Sequence, residues 1–358
     1  MGKPLVSGWS SHPLLAESLK KVEAYLEEQL STGHSLISDA VMSLLRAGGK
    51  RVRPALVLAS GMFGEADLSK LVPVASAIEI VHMATLIHDD IIDGADTRRG
   101  VKTVHARYGP DVAVFTGDYL FTRAFRILSE YASHEMLSSV ARAVQEVCEG
   151  EIEQYESRRN VAVSFGQYLR RIRQKTAMLF ALSCYAGALV AEAPRSTADA
   201  LRRFGLHLGV AFQIADDILD FSQDSATTGK PAGHDIACGV YTLPVIYALE
   251  SAKWSNELRN LLNGLDVNGA SPGSSGCENE PCGSRNGNAA GDSARDAAWD
   301  AARERVIAIV RESGALRRAS RTAERCAARA KRCLASLPDG AGKDILTDIL
   351  VSAVYRSS

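Results

Sequence analysis

Leu86-Ile87-His88-Asp89-Asp90-Ile91-Ile92-Asp93, with Arg98-Arg99-Gly100 shortly after it, is the stretch on which the reading of this chain turns. Its acidic core recurs downstream in Phe212-Gln213-Ile214-Ala215-Asp216-Asp217-Ile218-Leu219-Asp220. On a helix, residues four apart share a face, so Asp89 projects with Asp93, and Asp216 with Asp220. Like charges at that spacing repel, and carboxylates in apolar surroundings are costly to keep ionised. One acidic cluster is an ordinary solvated helix face. Two are harder to read that way when Leu86, Ile87, Ile91 and Ile92 surround one and Ile214, Ile218 and Leu219 the other. Both call for a cation. Hard oxygen donors without Cys or His at ligand spacing suit Mg²⁺ better than zinc. Mg²⁺ takes one or two carboxylates and completes its shell with water and phosphate, so the pattern predicts a metal-held diphosphate between two helices.

The bulk numbers allow this. The chain has 358 residues, 46% of them hydrophobic and 23% charged, which is ordinary for a globular protein with ample core. A net charge of −1 gives no global case for nucleic acid or an anionic membrane as partner. Seven scattered cysteines form no regular framework and are expected as free thiols of a cytoplasmic protein. Cys277 and Cys282, in a Gly/Ser/Asn-rich stretch, have no second pair nearby to complete a zinc site. No secretory signal is read at the N-terminus, and Val6 stands where a myristoylation motif needs Ser or Thr. No transmembrane span is expected, because residues 71–88 are interrupted by Pro73, Glu79 and His82.

Apolar periodicity predicts helices over 13–31, 35–46, about 54–62, 68–93, 111–132, 135–158, 164–192, 197–222, 240–262, 298–336 and 342–356, and no strand with period-two alternation. Lys50, Arg51 and Arg53 stand at the start of the third helix, the wrong sign for its dipole, and an anion placed there would resolve the conflict. Residues 264–297, rich in Gly, Ser, Asn and Asp, read as a disordered insertion. The expected architecture is all-α: an N-terminal helical segment, 1–34, then one helix-bundle domain, 35–358, around a central cavity.

The motifs together resemble the trans-isoprenyl (polyprenyl) diphosphate synthases. They are Gly48-Gly49-Lys50-Arg51-Val52-Arg53-Pro54, the first DDxxD with Arg98-Arg99-Gly100, Lys175-Thr176, Phe212-Gln213 before the second DDxxD, and Gly229-Lys230-Pro231, in that order. The resemblance implies an isoprenoid-synthase-type bundle and ionisation of an allylic diphosphate. Attack by the double bond of isopentenyl diphosphate follows, then loss of a proton, with the departing diphosphate as base. It implies that Asp89, Asp93, Asp216 and Asp220 hold Mg²⁺, with Asp90 and Asp217 in support. Arg98, Lys175, Thr176, Gln213 and Lys230 would meet the allylic diphosphate, and Lys50, Arg53, His82 and Arg99 that of isopentenyl diphosphate. One departure is Val240, where the family often carries a second lysine.

Product length follows from the residues one turn before Asp89. Ala84 and Thr85 are small and would leave room for a growing prenyl tail, with a floor at Ile80, Val81 or neighbouring helices. The expected product is longer than geranylgeranyl. Glu149-Gly150-Glu151-Ile152-Glu153-Gln154 and Tyr168-Leu169-Arg170-Arg171-Ile172-Arg173-Gln174-Lys175-Thr176-Ala177 resemble the catalytic large subunit of bacterial heptaprenyl diphosphate synthase. That implies a quinone side-chain precursor, with a homodimer as the default assembly and a small non-catalytic subunit as the alternative. Competing readings are a geranylgeranyl diphosphate synthase and a class I terpene cyclase, which typically lacks the Gly-Gly-Lys and Arg-Arg-Gly motifs. A regulatory subunit would have lost aspartates, and all six remain.

Overall fold

The structure is a computed structural model of the chain, and it describes residues 12–222, 233–267 and 289–354, with backbone alone at 266–267 and 289–296. The elements are α1 (Pro13–Leu30), α2 (Ser35–Arg46), α3 (Val52–Gly61), α4 (Leu68–Ile92), the two-residue strands β1 (Thr97–Arg98) and β2 (Val101–Lys102), α5 (Val104–Tyr108), α6 (Pro110–Tyr131) and α7 (His134–Glu156). Then come α8 (Phe165–Ile172), a π-helical turn (Arg173–Ala177), α9 (Met178–Val190) and α10 (Arg195–Ser222). The rest are α11 (His234–Ala237), α12 (Leu243–Leu249), α13 (Ser255–Val267), α14 (Ala289–Glu312), α15 (Ala315–Ala335) and α16 (Ala341–Val354). The fold is all-α, as the periodicity predicts.

The described chain groups into two compact units. The first comprises 1–150, 172–213 and 324–358, and its centre is α4. This helix is apolar all round and packs against α1, α3, α6 and α9. By length and hydropathy it could cross a membrane, yet most of it is buried. A helix hydrophobic on every face belongs in a core, and here Leu71, Val74, Ile78 and Val81 are fully covered by protein. Helix α1, set apart in the sequence as an N-terminal segment, packs Leu15, Val22 and Leu26 into the same core. The second unit comprises 151–171 and 214–323. Its core gathers Phe221, Leu243, Leu258, Leu262, Val306 and Val310, with the Tyr247 hydroxyl 3.1 Å from Thr322 Oγ1.

Several predicted helices are broken where tertiary packing demands it. The stretch 164–192 is interrupted by the π turn. The stretch 240–262 is two helices, with Pro244 in the first turn of α12. The stretch 298–336 is divided at Gly314, whose φ of 76° only glycine adopts cheaply. Of the expected insertion, residues 264–267 end α13 and 289–297 begin α14; the residues between, with Cys277 and Cys282, lie outside those described. The small ribbon was not predicted. Thr97 pairs with Lys102 and Arg98 with Val101, antiparallel, and the turn residues Arg99 and Gly100 have φ of 52° and 79°. Positive φ at both central positions is what a tight hairpin requires.

Candidate active site

Both acidic clusters occupy the C-terminal ends of long helices. Asp89 and Asp90 close α4, Asp93 is its C-cap, and Asp216, Asp217 and Asp220 lie in the last two turns of α10. Carboxylates repel the negative end of a helix dipole, so each cluster is placed where it needs positive charge most.

In the first unit the protein supplies some of that charge. Asp90 is buried, accepts a hydrogen bond from Arg98 Nε at 2.8 Å and forms an ion pair with Arg98 Nη2 at 2.7 Å. Lys175 Nζ lies 4.0 Å from Asp89 Oδ2. The π turn aims Lys175: an extra residue in the turn shifts the side chains that follow, a device frequent at functional sites. Glycines make room for it. A Cβ on Gly150 would lie 2.9 Å from Gln174 Cβ, and one on Gly209 2.6 Å from Ala177 Cα. Within the turn, Thr176 Oγ1 donates to Gln213 Oε1 at 2.7 Å. His88, just before the cluster, lies over Gly117, where a Cβ would clash with its ring.

A second group of cations in the same unit has a different character. Arg51 caps α3 with a left-handed φ of 47° and turns inward, pairing with Glu23 and Glu79. The sequence conflict at this helix start is therefore resolved partly by the protein's own carboxylates. Arg53 lies 5.1 Å from the centre of the Phe180 ring, and burial lowers its proton affinity to about 10, with nearby Arg99 adding to the effect. A Cβ on Gly49 would lie 2.8 Å from Arg99 Nη1, so this glycine admits the guanidinium. His82 is held well below its usual pKa by burial and then by Arg53, Arg99, Arg98 and Arg51. It is a neutral imidazole at pH 7 amid crowded cations, an arrangement that suits an anion. Lys50 is exposed beside this group.

The second unit holds the other cluster. Asp217 and Tyr168 are both buried, and the Tyr168 hydroxyl donates to Asp217 Oδ2 at 2.6 Å. Asp220 Oδ1 accepts from the His234 backbone N–H at 3.3 Å, while Oδ2 is buried without a hydrogen-bond partner. Burial raises the pKa of Asp220, and Asp216 adds to the rise. Asp235 is raised well above the carboxylate range by burial and then by Asp220, Asp217 and Asp216, with Arg171 opposing. Arg171 itself donates to the Tyr241 carbonyl at 2.9 Å. Carboxylates brought together at one helix end, with one Asp220 oxygen left bare, are a donor set that fits a hard divalent cation. Among the described residues no three of His, Cys, Asp and Glu converge closely enough to hold a metal alone.

This geometry can be set beside known proteins. The family model described as polyprenyl synthetase matches residues 34–269. The chain belongs to the polyprenyl synthetase family. Component 2 of heptaprenyl diphosphate synthase from Geobacillus stearothermophilus is 44% identical over 242 residues, 68% of this chain and 76% of the relative. The crystal structure of heptaprenyl diphosphate synthase from Staphylococcus aureus, 28% identical, superposes with a TM-score of 0.82 over 96% of this chain and 99% of that one. A polyprenyl synthase from Caulobacter crescentus, complexed with calcium and isoprenyl diphosphate, is 31% identical with a TM-score of 0.81 over 96% of each chain. As a member of this family the chain is a trans-prenyltransferase that makes a polyprenyl diphosphate.

The structure brings Arg53, His82 and Arg99 together, and likewise Lys175 with Asp89 and Thr176 with Gln213. Arg98 is engaged by Asp90, so it first holds that carboxylate in place. Lys230 lies outside the described residues. Ala84 is fully buried, and Thr85 turns its hydroxyl back to the His82 carbonyl at 2.8 Å. Val240 is buried, and its backbone N–H donates to the Asp235 carbonyl at 2.8 Å. Sequence reasoning missed Asp235, Tyr168 and His88. Asp235 was visible as an acid fifteen residues past Asp220, but only burial beside the cluster marks it.

Proposed function

We propose that this enzyme extends an allylic diphosphate, farnesyl or similar, with isopentenyl diphosphate to a medium- or long-chain product, heptaprenyl-like, for quinone side chains. The observation that carries the reading is the cation-rich group around neutral His82, where Arg53 and Arg99 share Glu79 as a counter-charge and an anion would find further positive charge. Arg53 and Arg99, with Lys50 and His82, hold the diphosphate of isopentenyl diphosphate. Lys175, Thr176, Gln213 and Lys230 grip the allylic diphosphate, and Arg98 positions Asp90 beside it. Asp89, Asp93, Asp216 and Asp220 hold Mg²⁺. When bound, the metal neutralises the charge that grows on the leaving diphosphate. Fixed cations such as Lys175 contribute to the same end without reorganising during reaction. Buried apolar side chains beside the clusters, such as Ile87 and Ile214, exclude water from the allylic cation. Burial and the surrounding arginines keep His82 neutral, so it serves as a hydrogen-bonding group rather than a charge. The product chain grows past Ala84 and Thr85. Assembly is proposed as a homodimer, with a small non-catalytic subunit as the alternative favoured by the name of the Geobacillus relative.

The test is product length. Purified chain receives Mg²⁺, isopentenyl diphosphate and farnesyl diphosphate, and the dephosphorylated products are sized. Products beyond geranylgeranyl are expected. A stop at geranylgeranyl would move the floor of the tunnel up to Ala84, and no product until a small subunit is added would replace the homodimer by a heteromer.

A further inference from the structure

Helix α15 carries six arginines and Lys331 against a single acid, Glu324, in a chain whose net charge is −1. Its apolar positions Ala319, Ala323, Ala327, Ala330 and Leu334 are buried, so its cations face outward. From Glu324 onward this helix belongs to the first unit, where other cations join it. Arg329 and Arg332, three residues apart, share a face of α15, as Arg203 and His207, four apart, do on α10. Arg173 opens the π turn. Arg173, Arg203, Arg329 and Arg332 are all exposed, and none is held in an ion pair among the described residues. His207 is half-buried among them; its pKa is lowered by burial and then by Arg329, Arg173, Arg332 and Arg203. Four exposed arginines from three elements thus surround half-buried His207. Crowding like charges is unfavourable, and an anionic partner would offset it.

The shape and chemistry of this face select the partner. The side chains stand exposed on helix surfaces, which suits an extended anionic surface rather than one small ion. No aromatic residue occurs in α15, so the stacking that accompanies single-stranded nucleic acid binding is absent from it. The proposed product is an amphiphile whose prenyl tail belongs in a bilayer. We propose that the face formed by Arg173, Arg203, Arg329 and Arg332 docks the enzyme on an anionic lipid surface, where the product is delivered. The choice of lipid rests on the proposed product length, while the docking is measured without turnover, so the two can fail separately.

The test is co-sedimentation of the full chain with vesicles of phosphatidylcholine, alone or mixed equally with phosphatidylglycerol. Binding is expected to the anionic vesicles only and to weaken as salt is raised, since such attraction decays over a Debye length. The R203Q/R329Q/R332Q variant should bind them at least about tenfold more weakly. Its turnover with soluble substrates should be unchanged, which shows that it folds. Equal binding to both vesicle types, undiminished binding of the variant, or no binding of the parent chain at low salt overturns the proposal. Retention on a heparin column without vesicle binding would also overturn it, in favour of nucleic acid.

Discussion

The two acidic clusters share a sequence pattern but not a solution. In the first, the middle carboxylate, Asp90, is held by a charged partner, Arg98, and Asp89 has Lys175 within 4.0 Å. In the second, the middle carboxylate, Asp217, is held by a neutral phenol, and Asp220, Asp217 and Asp216 crowd buried Asp235. The first cluster's middle carboxylate has a charged anchor, whereas the second's has a neutral one, and burial disfavours the charged forms of Asp220 and Asp235 beside it. Identical motifs therefore leave different electrostatic debts, and the difference is measurable.

The largest effects should fall on the ligands themselves. Asp89→Ala and Asp216→Ala are each expected to lower kcat by about 10²–10³-fold at saturating Mg²⁺, the scale of losing a key electrostatic element. Near-normal turnover in either variant would remove that cluster from the chemistry.

Next comes the contrast between the two anchors. Arg98→Gln strands a buried carboxylate, and its cost in unfolding free energy should be about 3 kcal/mol, the lower end for breaking a buried pair because Arg98 is part exposed. Tyr168→Phe removes a neutral donor and should cost about 1–3 kcal/mol. Denaturant melts rank the two, and a larger loss for Tyr168→Phe would invert the comparison.

A pH experiment sharpens it further. Asp220 and Asp235 have folded pKa values raised above the unfolded value near 3.8. The folded state therefore binds more protons than the unfolded one between that value and the raised ones. Their contribution to stability is fully present below about pH 4 and is lost as pH rises through the raised values. Metal-free protein should accordingly gain stability from Asp235→Asn at pH 7, and Mg²⁺ should raise the Tm of the parent more than that of the variant. Equal shifts would show that Asp235 does not face the metal-binding carboxylates. The smallest effect is expected at Thr176→Val, where losing one hydrogen bond of about 1 kcal/mol should raise KM for the allylic substrate about fivefold with kcat little changed.

How much of this was legible in the sequence differs from residue to residue. Long helices with clear apolar periodicity, such as α6 and α10, were legible because burial of one face leaves a period in the chain, while α4, apolar on every side, was legible as one long apolar stretch. The helix ends were less so: the π turn depends on close approach at Gly150 and Gly209, and no local pattern announces it. Lys50, Arg51 and Arg53 read as one group of cations. The structure divides them, because the left-handed backbone at Arg51 turns that side chain to Glu23 and Glu79 while Arg53 lies against Phe180.

The sequence by itself determined the helical class, the two acidic clusters and the chemistry they require, because helical spacing and the cost of crowded carboxylates are local facts. Only the tertiary structure decided which carboxylate is anchored by Arg98 and which by Tyr168, that Asp235 joins the second cluster, and that His82 is neutral. Those properties come from burial and from distances across the fold, and neighbours far apart in sequence set both.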